Sequence, residues 1–516
     1  RPAYGSPSFA MQVPVSTGFG GRSVPAAGQA FIERVPQALG VLRPARLELS
    51  PTPAVVVLGL AALRAAGRRR VSAAAGADQS LGKAQPRRLA VGAALAIGGS
   101  ARPRAAQAGG RLRATNEVVS TVDGIRQKRL GGGDIVVSEL ALGTQRWCST
   151  DFNAPDDALV HAFLDRAVLG SGVNLIDTAE QYPIPSSDSI PEGRTEEVIG
   201  QWMAKEAGRR RKVVIATKIT GGSNVTAKNI REDCEGSLKR LGTDYIDVYQ
   251  LHWPSRYSPQ SNWGQSLSYQ FKLEKSSGMR GASFEELCLA MGELAKEGKI
   301  RGWGLCNDNA FGLTACCEVA KRLQVPPPVS FQGDYSLLDR KSEENGVFEA
   351  SSSIHENVGF LAYNALAGGM LTGKYVDAPA AVDDPNKLAA AQRLAFPRGR
   401  HDDLNWGFTL YRYRSDAAVR ATKAYSVIAK QFGMSLTELS LRWCRMRQGC
   451  TSVLLGTSSM EQLEEDLKYF QNTKALPREL MWEVDRVHMR NRLPIFSSER
   501  VEADWDGSGE IGEPIP

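Results

Sequence analysis

The sequence Asn174-Leu-Ile-Asp-Thr-Ala179 is a short apolar run with a carboxylate near its end, and it decides the interpretation of the whole chain. Two runs of the same kind follow it, Lys212-Val-Val-Ile-Ala-Thr-Lys218 and Asp244-Tyr-Ile-Asp-Val-Tyr-Gln-Leu-His252. The stretches between them, Arg194–Ala204 and Asn229–Leu241, carry apolar residues at the intervals of an amphipathic helix. Short apolar runs that alternate with helices indicate parallel strands buried on both faces, and therefore an α/β fold.

The same alternation extends from residue 140 to residue 470. Eight short apolar runs are strand candidates: Leu140–Thr144, Asn174–Ala179, Lys212–Lys218, Asp244–His252, Ile300–Asn307, Val329–Ser336, Gly359–Leu366 and Thr451–Thr457. The other helix candidates are Asp156–Gly170, Phe284–Lys299, Phe311–Leu323, Lys341–His355, Ala417–Phe432 and Ser459–Phe470. Eight strand-then-helix units predict a (β/α)8 TIM barrel. A doubly wound open sheet is the alternative, but no GxGxxG loop or P-loop follows any of these strands.

The barrel is predicted to span residues 115–498, with an extra C-terminal helix at Pro477–Asn491 and a tail at residues 499–516. Two connections, 253–282 and 375–411, are long and aromatic. Among the aromatic residues that they carry are Trp253, Tyr257, Trp263, Tyr269, Phe271, Phe396, Trp406, Phe408 and Tyr411. In a barrel both connections follow the carboxyl ends of strands, so we expect them to form pocket walls or lids. Poorly ordered insertions are the alternative.

Residues 1–114 form a basic leader, with 16 Lys and Arg against 3 Asp and Glu. The chain as a whole carries a net charge of +7, so the remaining residues are slightly acidic and give no charge signal for nucleic-acid binding. An Arg-rich, acid-poor composition without a sustained period predicts a disordered transit sequence. Its apolar runs, Pro53–Leu63 and Leu89–Gly99, are shorter than the roughly 20 residues that cross a bilayer, so no stable membrane insertion is expected.

Two further features of the leader concern its destination. The pair Arg87-Arg88 precedes the second apolar run and Ala106-Gln-Ala108 follows it, as in a twin-arginine export signal with a cleavage site. Two signals in tandem suit a plastid, with the stroma as the expected location and the thylakoid lumen as an alternative. A leader without an address, and hence a cytoplasmic protein, is the other interpretation.

The eight cysteines are scattered along the chain, without a CxxC pair or a His at zinc-finger spacing. Most of them fall inside strand or helix patterns, where Cys behaves as a small apolar residue. We therefore expect a reducing compartment, no structural disulfide and no bound metal.

Ionisable side chains end three consecutive strand candidates: Asp177, Lys218 and His252, with Tyr182 five residues after Asp177. Neighbouring strands lie about 4.8 Å apart, so these four groups can converge on one rim. An ammonium group beside a phenol is expected to lower its pKa, and an Asp paired with the Lys keeps that Lys charged. Tyr182 could then donate a proton to an oxygen that His252 orients, as a carbonyl accepting hydride requires. The alternative is a structural Asp–Lys pair with Tyr182 in the pocket wall.

Four segments of the chain resemble the motifs of the aldo-keto reductase superfamily, and in particular its Tas-like branch, which is related to potassium-channel β-subunits. These segments are Gly172–Tyr182, Ala216–Lys218, Asp244–His252 and Leu371–Tyr375. The resemblance covers roughly residues 128–498 in order. It implies a (β/α)8 barrel, NADPH as the coenzyme and reversible reduction of an aldehyde or ketone. The implied catalytic residues are Tyr182 as proton donor, Asp177, Lys218 and His252.

The resemblance also implies residues that bind the nicotinamide side of the coenzyme. They are Gly143, Thr144, Cys306, Asn307, Gln332, Tyr363, Asn364 and Leu366, while Lys374 is implied to lie near the phosphates of the coenzyme. Asn307 and Gln332 would bind the carboxamide, and Tyr363 would stack on the nicotinamide ring. Cys306 stands where the family usually has Ser, which is the better hydrogen-bonding partner. Asn364-Ala365-Leu366 stands where Ser-Pro-Leu is usual.

The segment Gly456–Asp466 resembles the part of the family that binds the adenosine phosphate. The matching residues are Gly456, Ser458, Gln462 and Glu465, while Asp466 stands where Asn is usual. Backbone N–H groups and hydroxyls in a turn before a helix suit a phosphate. The segment contains no Lys or Arg. A cation for the phosphate that distinguishes NADPH from NADH must therefore come from elsewhere, and the candidates are Lys374, Arg393 and Arg398.

The sequence favours an NADPH-dependent enzyme that reduces a small-molecule carbonyl. The alternative is a redox-sensing subunit that binds the coenzyme and turns over slowly, although the retained His252 argues against it. A metal- or flavin-dependent barrel lacks any ligand cluster or flavin motif to support it. Loop sequences do not disclose the shape of a pocket, so the substrate stays open, as does the oligomeric state.

Overall fold

The computed structural model describes residues 113–151, 153–258, 269, 271, 281–376, 399–402, 410, 413, 415–492 and 494. Nearly all of the predicted leader, the tail at 499–516 and much of the two long connections therefore lie outside the described residues. The transit and domain-boundary predictions stay predictions.

Eight parallel strands form a closed barrel, β4 to β11 in chain order, in which the last strand pairs with the first. The strands are β4 Leu140–Gly143, β5 Leu175–Asp177, β6 Val214–Ile219, β7 Ile246–Leu251, β8 Ile300–Cys306, β9 Ser330–Asp334, β10 Gly359–Tyr363 and β11 Cys450–Leu455. The predicted (β/α)8 barrel is confirmed. Closure between β11 and β4, through the pair Val453 and Leu140, excludes the open sheet.

A three-stranded antiparallel sheet precedes the barrel and was not predicted. It consists of β1 Val118–Val122, β2 Ile125–Arg129 and β3 Val136–Ser138. The turn Asp123-Gly124 joins β1 to β2 with both residues at positive φ, and Asp-Gly is a strong hairpin signal. The apolar side chains of Leu130, Ile135 and Val137 join the cluster that fills the barrel interior. The small sheet therefore contributes to the barrel core from the amino ends of the strands.

Helices cover the outside of the barrel. They are α1 Asp157–Leu164, α2 Arg194–Ala204, α3 Ala227–Leu241, α4 Phe284–Lys296, α5 Ala310–Leu323, α6 Lys341–Glu344, α7 Val347–Ser351, α8 Asp416–Gln431, α9 Leu436–Met446, α10 Met460–Gln471 and α11 Arg478–Arg490. Helix α11 is the predicted extra C-terminal helix.

Two helical regions differ from the prediction. The single helix expected at Lys341–His355 is two short helices, because Gly346 adopts a left-handed conformation with φ of 81° between them. Helix α9 was not predicted, although its sequence begins with a capping signal in which the Ser435 side chain accepts from the Glu438 N–H.

Three chemical features of the described residues bear on the sequence predictions. No helix among them is both long enough and apolar enough to cross a membrane. All eight cysteines are described, and each is buried and free of a disulfide bond. The described ranges hold no group of three or more His, Cys, Asp or Glu side chains arranged to hold a metal ion.

Candidate active site

Parallel strands bring their carboxyl ends to one rim of the barrel, and the predicted residues stand there. Asp177 ends β5, Lys218 lies one residue before the end of β6, and His252 directly follows β7. Cys306 ends β8, the neighbour of β7, and Tyr363 ends β10 further around the rim. The closed hydrogen-bonded register therefore gathers side chains that are far apart in sequence around one opening.

A cavity of about 690 Å³ opens at this rim. Every residue that the resemblance assigned to the coenzyme lines it: Gly143, Thr144, Cys306, Asn307, Gln332, Tyr363, Asn364, Leu366, Lys374, Gly456, Ser458, Gln462, Glu465 and Asp466. Three of the predicted catalytic residues, Asp177, Tyr182 and His252, line it as well. Lys218 is fully buried beside them.

Lys218 and Asp177 form a buried ion pair. The Lys218 Nζ donates to Asp177 Oδ1 at 2.6 Å and to the carbonyl oxygen of Thr178 at 2.7 Å. Burial is the largest single effect and lowers the pKa of Lys218, but the charge and hydrogen bond of Asp177 together with Tyr182 and Cys306 outweigh it and leave that pKa above its ordinary value. Lys218 is therefore charged at neutral pH.

The second oxygen of Asp177 is held by two amides. Gln332 Nε2 donates to Asp177 Oδ2 at 2.7 Å, and Gln250 Nε2 donates to the same atom at 3.3 Å. Gln250 is fully buried one residue before the end of β7, where it pairs in register with Lys218 of β6. Sequence reasoning missed this Gln, although an amide within the apolar run of β7 was a visible signal. Both amides fix the carboxylate that holds Lys218.

Tyr182 lies against Lys218 and His252. The Lys218 Nζ is 5.1 Å from the centre of the Tyr182 ring, and the His252 ring meets that ring edge-on at 5.7 Å. Burial raises the pKa of Tyr182 to about 12, although the charge of Lys218 and a hydrogen bond to it act in the opposite direction. The prediction that Lys218 gives Tyr182 a lowered pKa is wrong, because the effect of burial on the phenol is larger than the effect of the ammonium group.

His252 is a neutral imidazole in this environment. Burial and the positive charge of Lys218 hold the pKa of His252 well below its ordinary value of 6.5. Its Nδ1 is buried and has no hydrogen-bond partner in the described part of the chain. Trp253 stacks on the imidazole with ring centres 6.4 Å apart and lines the cavity. A neutral ring with a free polar atom is suited to hydrogen bonding with a bound molecule.

Amide and thiol groups form a chain along the next part of the rim. The Tyr363 hydroxyl donates to Asn307 Oδ1 at 2.5 Å, and Asn307 Nδ2 donates to the His252 carbonyl oxygen at 3.0 Å. The Cys306 Sγ donates to Gln332 Oε1 at 3.5 Å. Burial raises the pKa of the Cys306 thiol, so Cys306 stays protonated and acts here as a weak donor.

The opposite end of the cavity is formed by the loop after β11 and the start of α10. The Ser458 N–H donates to Gln462 Oε1 at 2.9 Å, which closes the turn, and the Tyr469 hydroxyl donates to Glu465 Oε1 at 2.5 Å. Asp466 is 7% exposed. Burial and the neighbouring Glu465 raise the pKa of Asp466 well above its ordinary value, which favours the neutral carboxylic acid.

Three cations line the cavity within the described ranges. Lys374 was predicted, while Arg146 and Arg400 were not. Arg146 Nη1 donates to Ser458 Oγ at 3.1 Å, and Arg400 Nη2 donates to Gln145 Oε1 at 3.3 Å. The candidates Arg393 and Arg398 lie outside the described residues.

The aromatic loop predictions have a mixed outcome. Trp253 lines the cavity, as predicted for the long connection after β7. Tyr257 is buried, while Phe271 is exposed. Tyr269 is also exposed and contacts both of these rings. The remaining predicted aromatic residues lie outside the described residues: Trp263, Phe396, Trp406, Phe408 and Tyr411.

Comparisons with known proteins agree with this architecture. Residues 139–488 match the model of the Aldo/keto reductase family, and the chain belongs to that family. It is therefore an oxidoreductase of a family that generally uses NAD(P)H. The predicted superfamily is confirmed.

Individual relatives place the chain near the predicted branch. It is 35% identical over 377 residues to Protein tas of Escherichia coli, covering 71% of this chain and 98% of that protein. An Aldo-keto reductase of Babesia bovis is 33% identical over 296 residues, covering 55% of this chain and 98% of that protein. A probable voltage-gated potassium channel subunit beta of Oryza sativa is 28% identical over 369 residues, covering 70% of this chain and 96% of that protein.

Proposed function

We propose that this oxidoreductase reduces an aldehyde or ketone to an alcohol with NADPH, and that Tyr182 is the general acid. The observation that carries the proposal is a single cavity that joins Tyr182 and His252 at one end to the loop after β11 at the other. The Lys218–Asp177 ion pair is buried, and its ammonium group lies beside Tyr182, where it can stabilise the phenolate.

The residues around the cavity fit a nicotinamide coenzyme. At one end Tyr363 offers an aromatic face, and the amides of Asn307 and Gln332 offer partners for a carboxamide. Two hydroxyls on the wall, Thr144 Oγ1 and Thr457 Oγ1, are buried without a partner among the described residues. Buried polar groups normally find partners, so these hydroxyls are consistent with a polar ligand. A bound coenzyme would supply the hydride.

The protein groups provide the proton. Tyr182 stays protonated at neutral pH and can transfer its proton to the substrate oxygen as negative charge develops there. The Lys218 ammonium group then stabilises the phenolate, and Asp177 holds that ammonium group in place. The neutral His252 donates a hydrogen bond that orients the same oxygen. The carbonyl carbon gains a hydride and the oxygen gains a proton, so the product is an alcohol.

Four large apolar side chains contribute to the cavity wall: Trp147, Ile184, Trp253 and Leu410. Apolar walls around a few polar groups favour a carbonyl compound that carries an apolar or ring-bearing substituent.

The experiment that tests the proposal incubates the full chain and NADPH with a panel of aldehydes, ketones and sugars. The decrease in NADPH absorbance measures turnover. Turnover of at least one carbonyl compound with matching alcohol formation is the expected result. Tight NADPH binding with negligible turnover on the whole panel would favour the redox-sensing subunit instead. Absence of NADPH binding would refute both.

The proposed location is the plastid stroma. The proposal rests on the composition of residues 1–114 alone. Immunoblots of fractionated cells should place a shortened product in the plastid fraction, whereas a full-length product in the cytosol would contradict it.

A further inference from the structure

Arg146 connects the first and last strand–loop units of the barrel. It lies in the loop after β4, and its Nη1 donates to the Oγ of Ser458 in the loop after β11 at 3.1 Å. Strands β4 and β11 are neighbours, with Leu142 opposite Leu455. The two loops therefore flank the same part of the cavity rim.

The orientation of the Arg146 guanidinium is fixed from the other side. Its Nε donates to Asp151 Oδ2 at 2.5 Å, and the Asp151 side chain is fully buried. The Arg146 side chain is only 17% exposed and lines the cavity. A guanidinium held by Asp151 on one side and in contact with Ser458 on the other has a fixed orientation, which places its positive charge beside Ser458.

The segment that contains Ser458 has acidic side chains but no basic ones. The segment Gly456–Asp466 contains no Lys or Arg, and its Glu465 and Asp466 line the cavity. A phosphate bound there needs a positive charge from another element. The other two cavity-lining cations have different neighbours: Arg400 donates to Gln145 Oε1, and Lys374 lies 5.2 Å from the centre of the Tyr375 ring.

The groups near Arg146 form a set that suits a phosphate monoester. Besides the guanidinium there are the hydroxyl of Ser458, the unpartnered buried hydroxyl of Thr457 and the start of the 12-residue helix α10. Guanidinium forks bind phosphate oxygens in pairs, and hydroxyls with a helix amino end complete the shell.

We propose that Arg146 recognises the 2′-phosphate that distinguishes NADPH from NADH, together with Ser458. The inference rests on the proposed function, because it takes the loop after β11 as the nucleotide end of the cavity. It assigns coenzyme selection to a residue from the opposite end of the barrel sequence. Arg146 is therefore a specificity-determining residue and has no part in the proton transfer.

The test compares two nucleotide fragments that differ only in this phosphate, 2′,5′-ADP and 5′-ADP, by calorimetry on the full chain. The variant Arg146→Gln should weaken the binding of 2′,5′-ADP about 10- to 100-fold, because a hydrogen-bonded charge pair is lost, and leave 5′-ADP binding nearly unchanged. The matched control is Arg166→Gln. Arg166 binds Glu464 of α10 at the protein surface and does not line the cavity.

The outcomes separate this inference from the proposed function. If the wild type binds neither fragment nor NADPH, the coenzyme proposal fails. If the wild type prefers 2′,5′-ADP and Arg146→Gln keeps the same preference, only the assignment to Arg146 is overturned. Should Arg146→Gln fail to fold, Arg146→Lys keeps a charge opposite Asp151. It should lose part of the preference because an ammonium group lacks the guanidinium fork, and an unchanged preference would again overturn the assignment.

Discussion

The ammonium group of Lys218 lies 5.1 Å from the centre of the Tyr182 ring, and both side chains are buried. Burial and charge therefore act on Tyr182 in opposite directions. Burial raises the pKa of its phenol to about 12, and Lys218 limits that rise. The same ammonium group stabilises the phenolate once the proton has left. This arrangement suits a residue that gives up its proton only when a substrate oxygen becomes basic.

The variant Tyr182→Phe should retain the fold and coenzyme binding but lose the proton donor. Because a positioned general acid contributes roughly 100- to 10,000-fold, we expect kcat for carbonyl reduction to fall by at least about 100-fold. Stopped assays with product analysis measure this loss, and fluorescence titration measures NADPH binding. Tyr245→Phe is a matched control, since Tyr245 stacks on Arg210 outside the cavity. Undiminished reduction by Tyr182→Phe would remove Tyr182 from the mechanism.

The pH dependence of reduction follows from the pKa values of the two cavity groups. Tyr182, with a pKa near 12, stays protonated, and His252, with its pKa well below 6.5, stays neutral across the neutral range. We therefore expect kcat for reduction to be flat from about pH 6 to about pH 9. Oxidation of the alcohol needs the phenolate, so its kcat should rise with pH over the same interval. An inflection near neutral pH that disappears in His252→Gln would show that His252 titrates there after all.

Removing one charge of the buried pair should destabilise the fold. Lys218→Met leaves the Asp177 carboxylate buried with only the amides of Gln250 and Gln332 as side-chain partners. The free energy of unfolding should fall by about 3 to 5 kcal/mol, as measured by urea denaturation. The double variant Asp177→Asn with Lys218→Met removes both charges and should recover part of the loss. Strictly additive losses would show that the pair is not coupled.

Glu180 predicts a pH dependence of stability. Burial and the nearby Asp233 raise the pKa of Glu180 from 4.5 to about 7, while its side chain accepts from the Thr220 N–H at 2.5 Å. The folded state binds this proton more tightly than the unfolded state, so the free energy of unfolding should decrease as pH rises from 4.5 to about 7.

Glu180→Gln keeps the hydrogen-bond acceptor and removes the charge. It should flatten this pH dependence and stabilise the protein above neutral pH by about 1 to 3 kcal/mol. Urea denaturation at several pH values measures the effect, and Glu197→Gln on the exposed face of α2 is the control. If Glu180→Gln leaves the slope of stability against pH unchanged, the titrating group is another carboxyl.

Much of the architecture was accessible from local patterns. The strand at Leu175–Asp177 and the helix at Arg194–Ala204 follow from apolar runs and helical spacing, and the helix was predicted to the residue. The hairpin turn Asp123-Gly124 and the helix after Ser435 had recognisable signals that were overlooked. The break at Gly346 also had a recognisable signal that was overlooked, because Asn345-Gly346 is a turn dipeptide and residues 341–345 contain no apolar side chain.

Some residues of the candidate site could also be predicted from the sequence, and others could not. Asp177, Lys218 and His252 could be grouped from sequence because consecutive parallel strands must present their carboxyl ends on one rim. Gln250 and Arg146 were missed, since their importance depends on which side chain they meet. The contact between Arg146 and Ser458 joins residues 312 positions apart in the chain.

The sequence by itself determined the barrel, the family and the rim at which the ionisable groups gather, because strand periodicity and chain order are local properties. Only the tertiary structure decided the protonation of Tyr182, the amides that hold Asp177 and the cation that reaches Ser458. Burial and hydrogen-bond partners depend on how the barrel closes, and closure brings together the first and last strands of the barrel, which are far apart in the sequence.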